Sequence, residues 1–206
     1  MSNAPTRVGK DLSAEERRQQ ILRAAARCLA AQGYEAVRLK DIADEAGVTT
    51  GALQYYWESR EQLLEQAFEQ VSIDLLDRWQ TATADVNDPW QQIVVLVEQL
   101  AIAPDVRRHC SLWTEFAVVA GRNQFMRPGF RSIYDNWRQL LTDAVLAGVS
   151  SGDFRPALPV DDVVTVLLTH MDGCELQIAA GIDAMDGETL RRLTLELAKT
   201  LLRLRK

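Results

Sequence analysis

Cysteine is scarce in this chain: Cys28, Cys110 and Cys174 are the three among 206 residues, odd in number and far apart. They offer neither a disulfide framework nor a clustered metal signature, and they fit a reducing compartment. Long apolar runs are missing as well. Ile93-Val94-Val95-Leu96-Val97 is soon followed by Glu98 and Gln99, well short of the ~20 residues that cross a bilayer, so no membrane role is expected. The first residues carry Arg7 and Lys10 and lead into Glu15, Glu16, Arg17 and Arg18 without the apolar core of a signal peptide. The cytoplasm is therefore the expected location. No credible alternating strand is present, which leaves an all-α fold.

What remains is ordinary for a soluble globular protein: 47% hydrophobic and 25% charged residues, enough for a sizeable core and for one or two domains. The formal charge of -6 argues against nucleic acid until it is divided along the chain. Residues 1–60 hold 9 Lys/Arg against 8 Asp/Glu, whereas residues 61–206 hold 14 against 21. Residues 1–30 alone hold 6 against 3, so the acid excess lies downstream and a phosphate-facing surface can begin near the start.

Helical spacing recurs throughout. Ser13 and Glu16 form a possible capping box before Ile21, Leu22, Ala25, Cys28 and Leu29, and Gly33 suits the left-handed position past the end. Ile42, Ala43 and Ala46 then form a short apolar face, Gly47 a turn, and Thr49 an N-cap for a segment ending near Trp57. Leu63, Leu64, Ala67, Phe68, Val71 and Leu75 mark a longer helix from Arg60 toward Thr83. Pro89 opens the next, Pro104 separates it from a stretch containing Phe116 and Val119, and a loop near residues 121–129 precedes Ile133, Trp137, Leu140, Leu141, Ala144 and Val145. Residues 148–159 read as a loop, with Asp161 and Asp162 at the following helix start.

The segment from Ile42 to Leu53 has the arrangement of a helix-turn-helix, although an ordinary small helical bundle uses the same residue types. Its exposed candidates are Thr50, Gln54 and Tyr55, with Gly51 permitting close backbone approach to a groove. Gln can read a base edge, Thr can bond to base or phosphate, and the Tyr hydroxyl can reach phosphate. Residues 17–64, including Gly33-Tyr34, the run Asp41 to Val48 and the run Thr49 to Leu64, resemble the DNA-binding region of TetR-type one-component transcriptional regulators. The resemblance implies an N-terminal three-helix helix-turn-helix domain (12–59) and a C-terminal effector-binding and dimerisation bundle (60–206). It places Thr49, Thr50 and Gly51 at the start of the recognition helix, Gln54, Tyr55 and Tyr56 at base or phosphate contacts, and Lys40 and Arg60 against phosphate. Three departures stand out: Gln54 for a frequent Tyr, Trp57 for a Phe, and Arg38 where Ser or Thr often caps the second helix. Arg38 can meet phosphate but cannot accept from helix amides. Arg17, Arg18 and Arg23 suit either phosphate or plain solvent.

The later region resembles, more weakly, the C-terminal part of choline-responsive repressors, through Trp113-Thr114-Glu115-Phe116, Tyr134-Asp135-Asn136-Trp137, Gly152-Asp153-Phe154 and Asp172-Gly173. Trp79, Trp90, Trp113, Phe116 and Trp137 can enclose a small organic effector, with Glu115, Asn136 or His170 as polar contact, or can simply be core. Val164, Leu167, Leu168 and Met171, with Leu193, Leu197 and Leu201, suit either intrachain packing or a four-helix interface between two copies. Chemistry finds little support. His109 and Cys110 are adjacent and point apart on a helix; His170 and Cys174 supply half a zinc site at best. No enzyme, cofactor or metal is expected. The resemblance implies a sequence-specific, double-stranded-operator-binding homodimer, a repressor released by its effector. A dimeric helical scaffold and a regulator without ligand control stay open.

Overall fold

The computed structural model describes residues 13–102 and 105–204. The first residues, with Arg7 and Lys10, and the break expected at Pro104 lie outside the described residues. Nine helices make up the described residues: α1 (Ala14–Gln32), α2 (Leu39–Ala46), α3 (Thr50–Tyr56), α4 (Arg60–Thr83), α5 (Pro89–Ala101), α6 (Val106–Arg122), α7 (Arg127–Ser151), α8 (Val160–Ala180) and α9 (Gly187–Leu202). The all-α expectation holds. Among the described residues no helix is long and apolar enough to cross a membrane.

Local signals set most boundaries. Ser13 Oγ accepts from the Glu16 amide at 3.2 Å while Glu16 accepts from the Ser13 amide at 2.8 Å, closing the capping box of α1. Gly33 ends that helix at φ 79°, a conformation that burdens any residue with a Cβ. At Arg38, whose guanidinium has donors only, α2 finds another solution: the Asp41 carboxylate reaches back to the Arg38 amide at 3.0 Å. Farther on, Gly148 lies inside α7, and the Phe154 ring packs where its Cβ would stand, 2.1 Å away. The loop expected from residue 148 therefore begins only after Ser151.

Two apolar cores divide the chain, and three helices, α4, α6 and α7, belong to both. The first core joins α1, α2, Leu53 and Trp57 to Leu63, Leu64, Ala67 and Phe68 of α4, to Leu112, Phe116 and Val119 of α6 and to Ile133 of α7. The second joins Leu75 and Trp79 of α4 and Cys110 of α6 to α5, α7, α8 and α9. Phe68 stacks on Phe116 with ring centroids 4.3 Å apart. Packing between the two regions is thus apolar and continuous, and α4, α6 and α7 are the elements through which either region feels the other.

Candidate nucleic-acid interface and effector cavity

The turn between α2 and α3 is built from backbone demands. Gly47 takes the left-handed conformation at φ 67°, which brings the Val48 amide back to Ala43 O at 3.0 Å. Thr49 Oγ1 then accepts from the Ala52 amide at 3.2 Å and starts α3. Leu53 and Trp57 face inward, at 1% and 4% exposure, and anchor the short helix. Trp57 donates from Nε1 to Gln66 Oε1 at 2.7 Å, and Arg18 donates to the same oxygen at 2.7 Å. The Trp in place of Phe is a core residue with a satisfied polar edge.

With those residues turned in, the opposite face of the unit carries Thr49, Thr50, Gly51, Gln54 and Tyr55, all exposed, Tyr55 to 81%. Arg38 and Lys40, at the start of α2, are exposed too, and Tyr56 is half-buried with its ring edge-on to Tyr55 at 5.1 Å. A Cβ on Gly51 would meet nothing nearer than Thr49 Oγ1 at 3.8 Å, so the fold itself does not require glycine there. Arg60 differs from its expected phosphate role. Its Nε donates to Val37 O at 2.7 Å, its Nη2 donates to Tyr34 O, and the guanidinium lies 5.0 Å over the Tyr34 ring. The fork that could clasp a phosphate is occupied by the carbonyls of the α1–α2 loop. Arg18 is similarly engaged, while Arg23 is exposed.

The second site lies in the body. Trp79, Trp113 and Trp137 meet around a small, largely enclosed cavity that Leu75, Leu100, Ile133, His109, Asp172 and Glu175 complete. Phe116 lines an adjoining lobe that shares His109, Trp113 and Ile133. Four of the six expected aromatic and histidine residues thus converge. Trp90 does not; it sits half-buried beneath Lys199 Nζ, 5.9 Å from the ring centroid. His170 does not either, its Nε2 standing 3.7 Å from Cys174 Sγ on α8. The histidine of the cavity is His109, and the acids are Asp172 and Glu175. Their convergence depends on how α6 crosses α8, which no local pattern encodes; the Asp172-Gly173 pair was the one signal in the sequence.

Two carboxyl groups and one imidazole set the electrostatics of the cavity. Burial holds the Asp172 carboxyl above the usual carboxylate range, although the Trp113 Nε1–H that it accepts at 3.3 Å works the other way. Glu175 is 5% exposed, and burial, with Asp172 beside it, raises its carboxyl well above the ordinary value. Burial lowers the His109 imidazole to about 4, with Arg78 adding to the effect, so the ring is neutral. Each lobe has a volume of about 20 Å³, room for roughly one water.

Glu115 and Asn136, the other expected polar contacts, lie elsewhere. Asn136 is exposed and bonds to Ser132 O at 2.7 Å. Glu115 leaves the body altogether: its Oε1 accepts from the Tyr34 amide at 2.5 Å, in the same loop that Arg60 holds. Val164, Leu167, Leu168 and Met171 are at most 1% exposed within the single chain, which removes them from any surface. Leu193, Leu197 and Leu201 are half-buried. The outward side of α8 carries Val166 and Leu176 instead, 38% and 55% exposed. Cys110 is fully buried and its thiol is pushed up to about 12, principally by desolvation, which leaves no thiolate beside His109. Among the described residues no group of three or more His, Cys, Asp or Glu could hold a metal ion.

Comparison with known proteins places both regions. Residues 21–67 match the family described as "Bacterial regulatory proteins, tetR family", and residues 89–203 match "BetI-type transcriptional repressor, C-terminal". The HTH-type transcriptional repressor KstR2 of Mycolicibacterium smegmatis is 28% identical over 156 residues, which cover 70% of this chain and 71% of the relative. A protein from Saccharomonospora viridis, solved in complex with choline, superposes with a TM-score of 0.86 at 25% identity, covering 93% of this chain and all of that one (100%). A TetR transcription regulator from Haloarcula marismortui superposes at 0.80 with 24% identity, covering 91% of this chain and 99% of that one, a likeness of fold.

Proposed function

The chain belongs to the TetR family of bacterial regulatory proteins, with a BetI-type C-terminal domain, and on that premise we propose how its two sites are used and coupled. The protein is a DNA-binding transcriptional repressor released by a small-molecule effector. Thr49, Thr50, Gly51, Gln54 and Tyr55 form the groove-facing surface, with Gln54 and Thr50 reading bases and Lys40 and Arg38 meeting phosphates. It acts as a binding protein in the cytoplasm, where its operator is, and performs no catalytic step. Two copies associate through the outward sides of α8 and α9, around Val166, Leu176 and Leu193, and present two heads to successive major grooves.

The effector occupies the tryptophan-lined cavity and is a compact organic cation. Three indole faces and two carboxyl groups around one space suit a positive charge, and the choline held by the Saccharomonospora viridis protein is of that class. Ligand sites typically run to ~300–1,000 Å³, so binding has to part the helices that close this one. The observation that carries the coupling is the double hold on the α1–α2 loop: Glu115 of α6 on the Tyr34 amide and Arg60 of α4 on the Tyr34 and Val37 carbonyls. Both helices also wall the cavity, through His109, Trp113, Leu75 and Trp79. A geometry of α4 and α6 that admits the effector displaces both holds, and with them the head. By linkage the effector weakens DNA binding by the same free energy with which DNA weakens effector binding.

Selection of sites from randomised duplex DNA, followed by titration of choline on the winning site, tests the whole scheme. A two-fold symmetric site, released by choline in the parent and not in Glu115→Ala, is the expected result. An operator complex indifferent to choline and to other small cations removes the effector reading and leaves a regulator without ligand control.

A further inference from the structure

The two carboxyl groups of the cavity are not equivalent. Asp172 has the Trp113 indole N–H, whereas Glu175, one turn along α8, has neither a hydrogen bond nor an ion pair among the described residues. The groups that face it are Asp172 and Cys174 on α8 itself and His109 and Cys110 on α6. α4, α5 and α7 contribute Leu75, Trp79, Leu100, Ile133 and Trp137, none of them charged; Arg78 of α4 acts on His109 and does not line the space. A second polar group is stranded in the wall of the same cavity: Trp79, 4% exposed, has no acceptor for its Nε1–H among the described residues. Unpartnered buried groups of this kind cost stability, and a ligand entering the cavity would supply the missing partners.

We infer that Glu175 carries a proton in the empty cavity and that the cationic effector binds by exchange for it, so that ligand and proton compete for one carboxyl group. The inference rests on the cationic reading of the effector given above. An unpaired carboxylate against three indoles and a second acid has no compensation, so the empty site is neutral at Glu175. When the cation enters, the O–H bond of Glu175 breaks, the proton leaves to solvent, and the carboxylate pairs with the ligand; the net charge of the cavity is unchanged. His109 does not take up the proton, since burial keeps its ring neutral. Two consequences follow from that exchange. Affinity for a cation rises by up to ~10-fold per pH unit for as long as free Glu175 is protonated, the slope set by one proton released per ligand. A neutral molecule of the same shape releases no proton and shows no such slope.

Titration calorimetry on the full chain, with choline and its uncharged carbon isostere 3,3-dimethylbutan-1-ol as probes, in buffers of different ionisation enthalpy, counts the protons. Choline is expected to release close to one proton and the alcohol none. Glu175→Gln abolishes the release and the pH slope and lowers choline affinity tenfold or more, with a smaller effect on the alcohol. Thermal unfolding supplies a measurement independent of ligand. A carboxyl whose value is raised in the folded state favours folding below the unfolded value of 4.5 and loses that contribution as pH climbs through the folded value. The parent therefore loses stability relative to Glu175→Gln as pH rises above 4.5. Choline binding without proton release, or with release that Asp172→Asn removes and Glu175→Gln does not, overturns the exchange while leaving the site in place. Binding of neither probe overturns the cationic reading and the exchange with it.

Discussion

Arg60 separates two physical roles that a basic residue beside a recognition helix can have. If it holds the α1–α2 loop, truncation to Ala removes two charge-assisted hydrogen bonds to carbonyl oxygens and a guanidinium 5.0 Å over an aromatic ring. Hydrogen bonds to charged groups contribute ~1.5–3 kcal/mol each, and an exposed cation–π contact ~0.5–1. The Arg60 side chain is 22% exposed, so water can reclaim part of what the carbonyls lose, and a net cost of about 2–4 kcal/mol is expected. For a chain of this size that lowers the unfolding midpoint on the order of 10 °C. If Arg60 instead meets a phosphate, truncation leaves stability within ~0.5 kcal/mol and reduces the salt slope of DNA binding by ~0.9. Lys40→Ala is the control, exposed and expected to show that second pattern. Unfolding curves, together with operator binding measured from low to moderate salt, distinguish the cases. Arg60→Lys keeps the charge but loses the planar fork, and should recover little of the lost stability. An Arg60→Ala protein that melts like the parent and binds DNA with a flatter salt dependence would refute the loop-holding role.

Three further substitutions probe the remaining surfaces. Gly51→Ala meets only Thr49 Oγ1 at 3.8 Å, so stability should stay level or rise by up to ~1 kcal/mol on helix propensity, while operator affinity drops; unchanged affinity would show that the backbone of α3 stands off the groove. Leu176→Asp alters an exposed residue of α8 and should yield a folded monomer in sedimentation, whereas Leu167→Ala, one of the core residues, should cost ~2–5 kcal/mol of stability without a selective effect on assembly. Gly148→Ala places a methyl group 2.1 Å from the Phe154 ring and should destabilise the body by ~1–3 kcal/mol, measurable by urea unfolding; a neutral result would mean that the Phe154 ring is free to move aside.

In the proposed coupling, α4 and α6 both wall the cavity and hold the α1–α2 loop. The cavity is closed at about 20 Å³ per lobe, and the holds on the α1–α2 loop are intact in the same geometry. On the proposed scheme this pairing belongs to the effector-free state. An effector can shift the equilibrium only as far as its affinity differs between closed and open bodies. Glu175, whose proton has to leave before a cation is accommodated, makes that difference depend on pH.

Features carried by a few neighbouring residues could be read before any coordinates. The Ser13–Glu16 cap, the positive φ of glycines 33 and 47, the Thr49 cap and the start of α4 at Arg60 are each decided within one or two turns of chain. The residues exposed on α3 follow from the same local logic, because Leu53 and Trp57 must turn inward. Features decided by what comes to lie opposite a residue could not be read in this way. On α8 the apolar positions at 163, 164, 167, 168 and 171 announce a buried face, but periodicity does not say whether a neighbouring helix or a second copy buries it. The fold buries all five internally and leaves Val166 and Leu176 outside. Arg60 carries the same charge whether its fork meets phosphate or the carbonyls of residues 34 and 37, and the chain reversal after α1 put those carbonyls within reach. His109, Asp172 and Glu175 become one site because α6 crosses α8, a contact between residues more than 60 positions apart. Backbone conformation and helix period are properties of adjacent residues, so the sequence by itself determined them; burial, charge pairing and the membership of a cavity are properties of packing partners, and only the tertiary structure decided those.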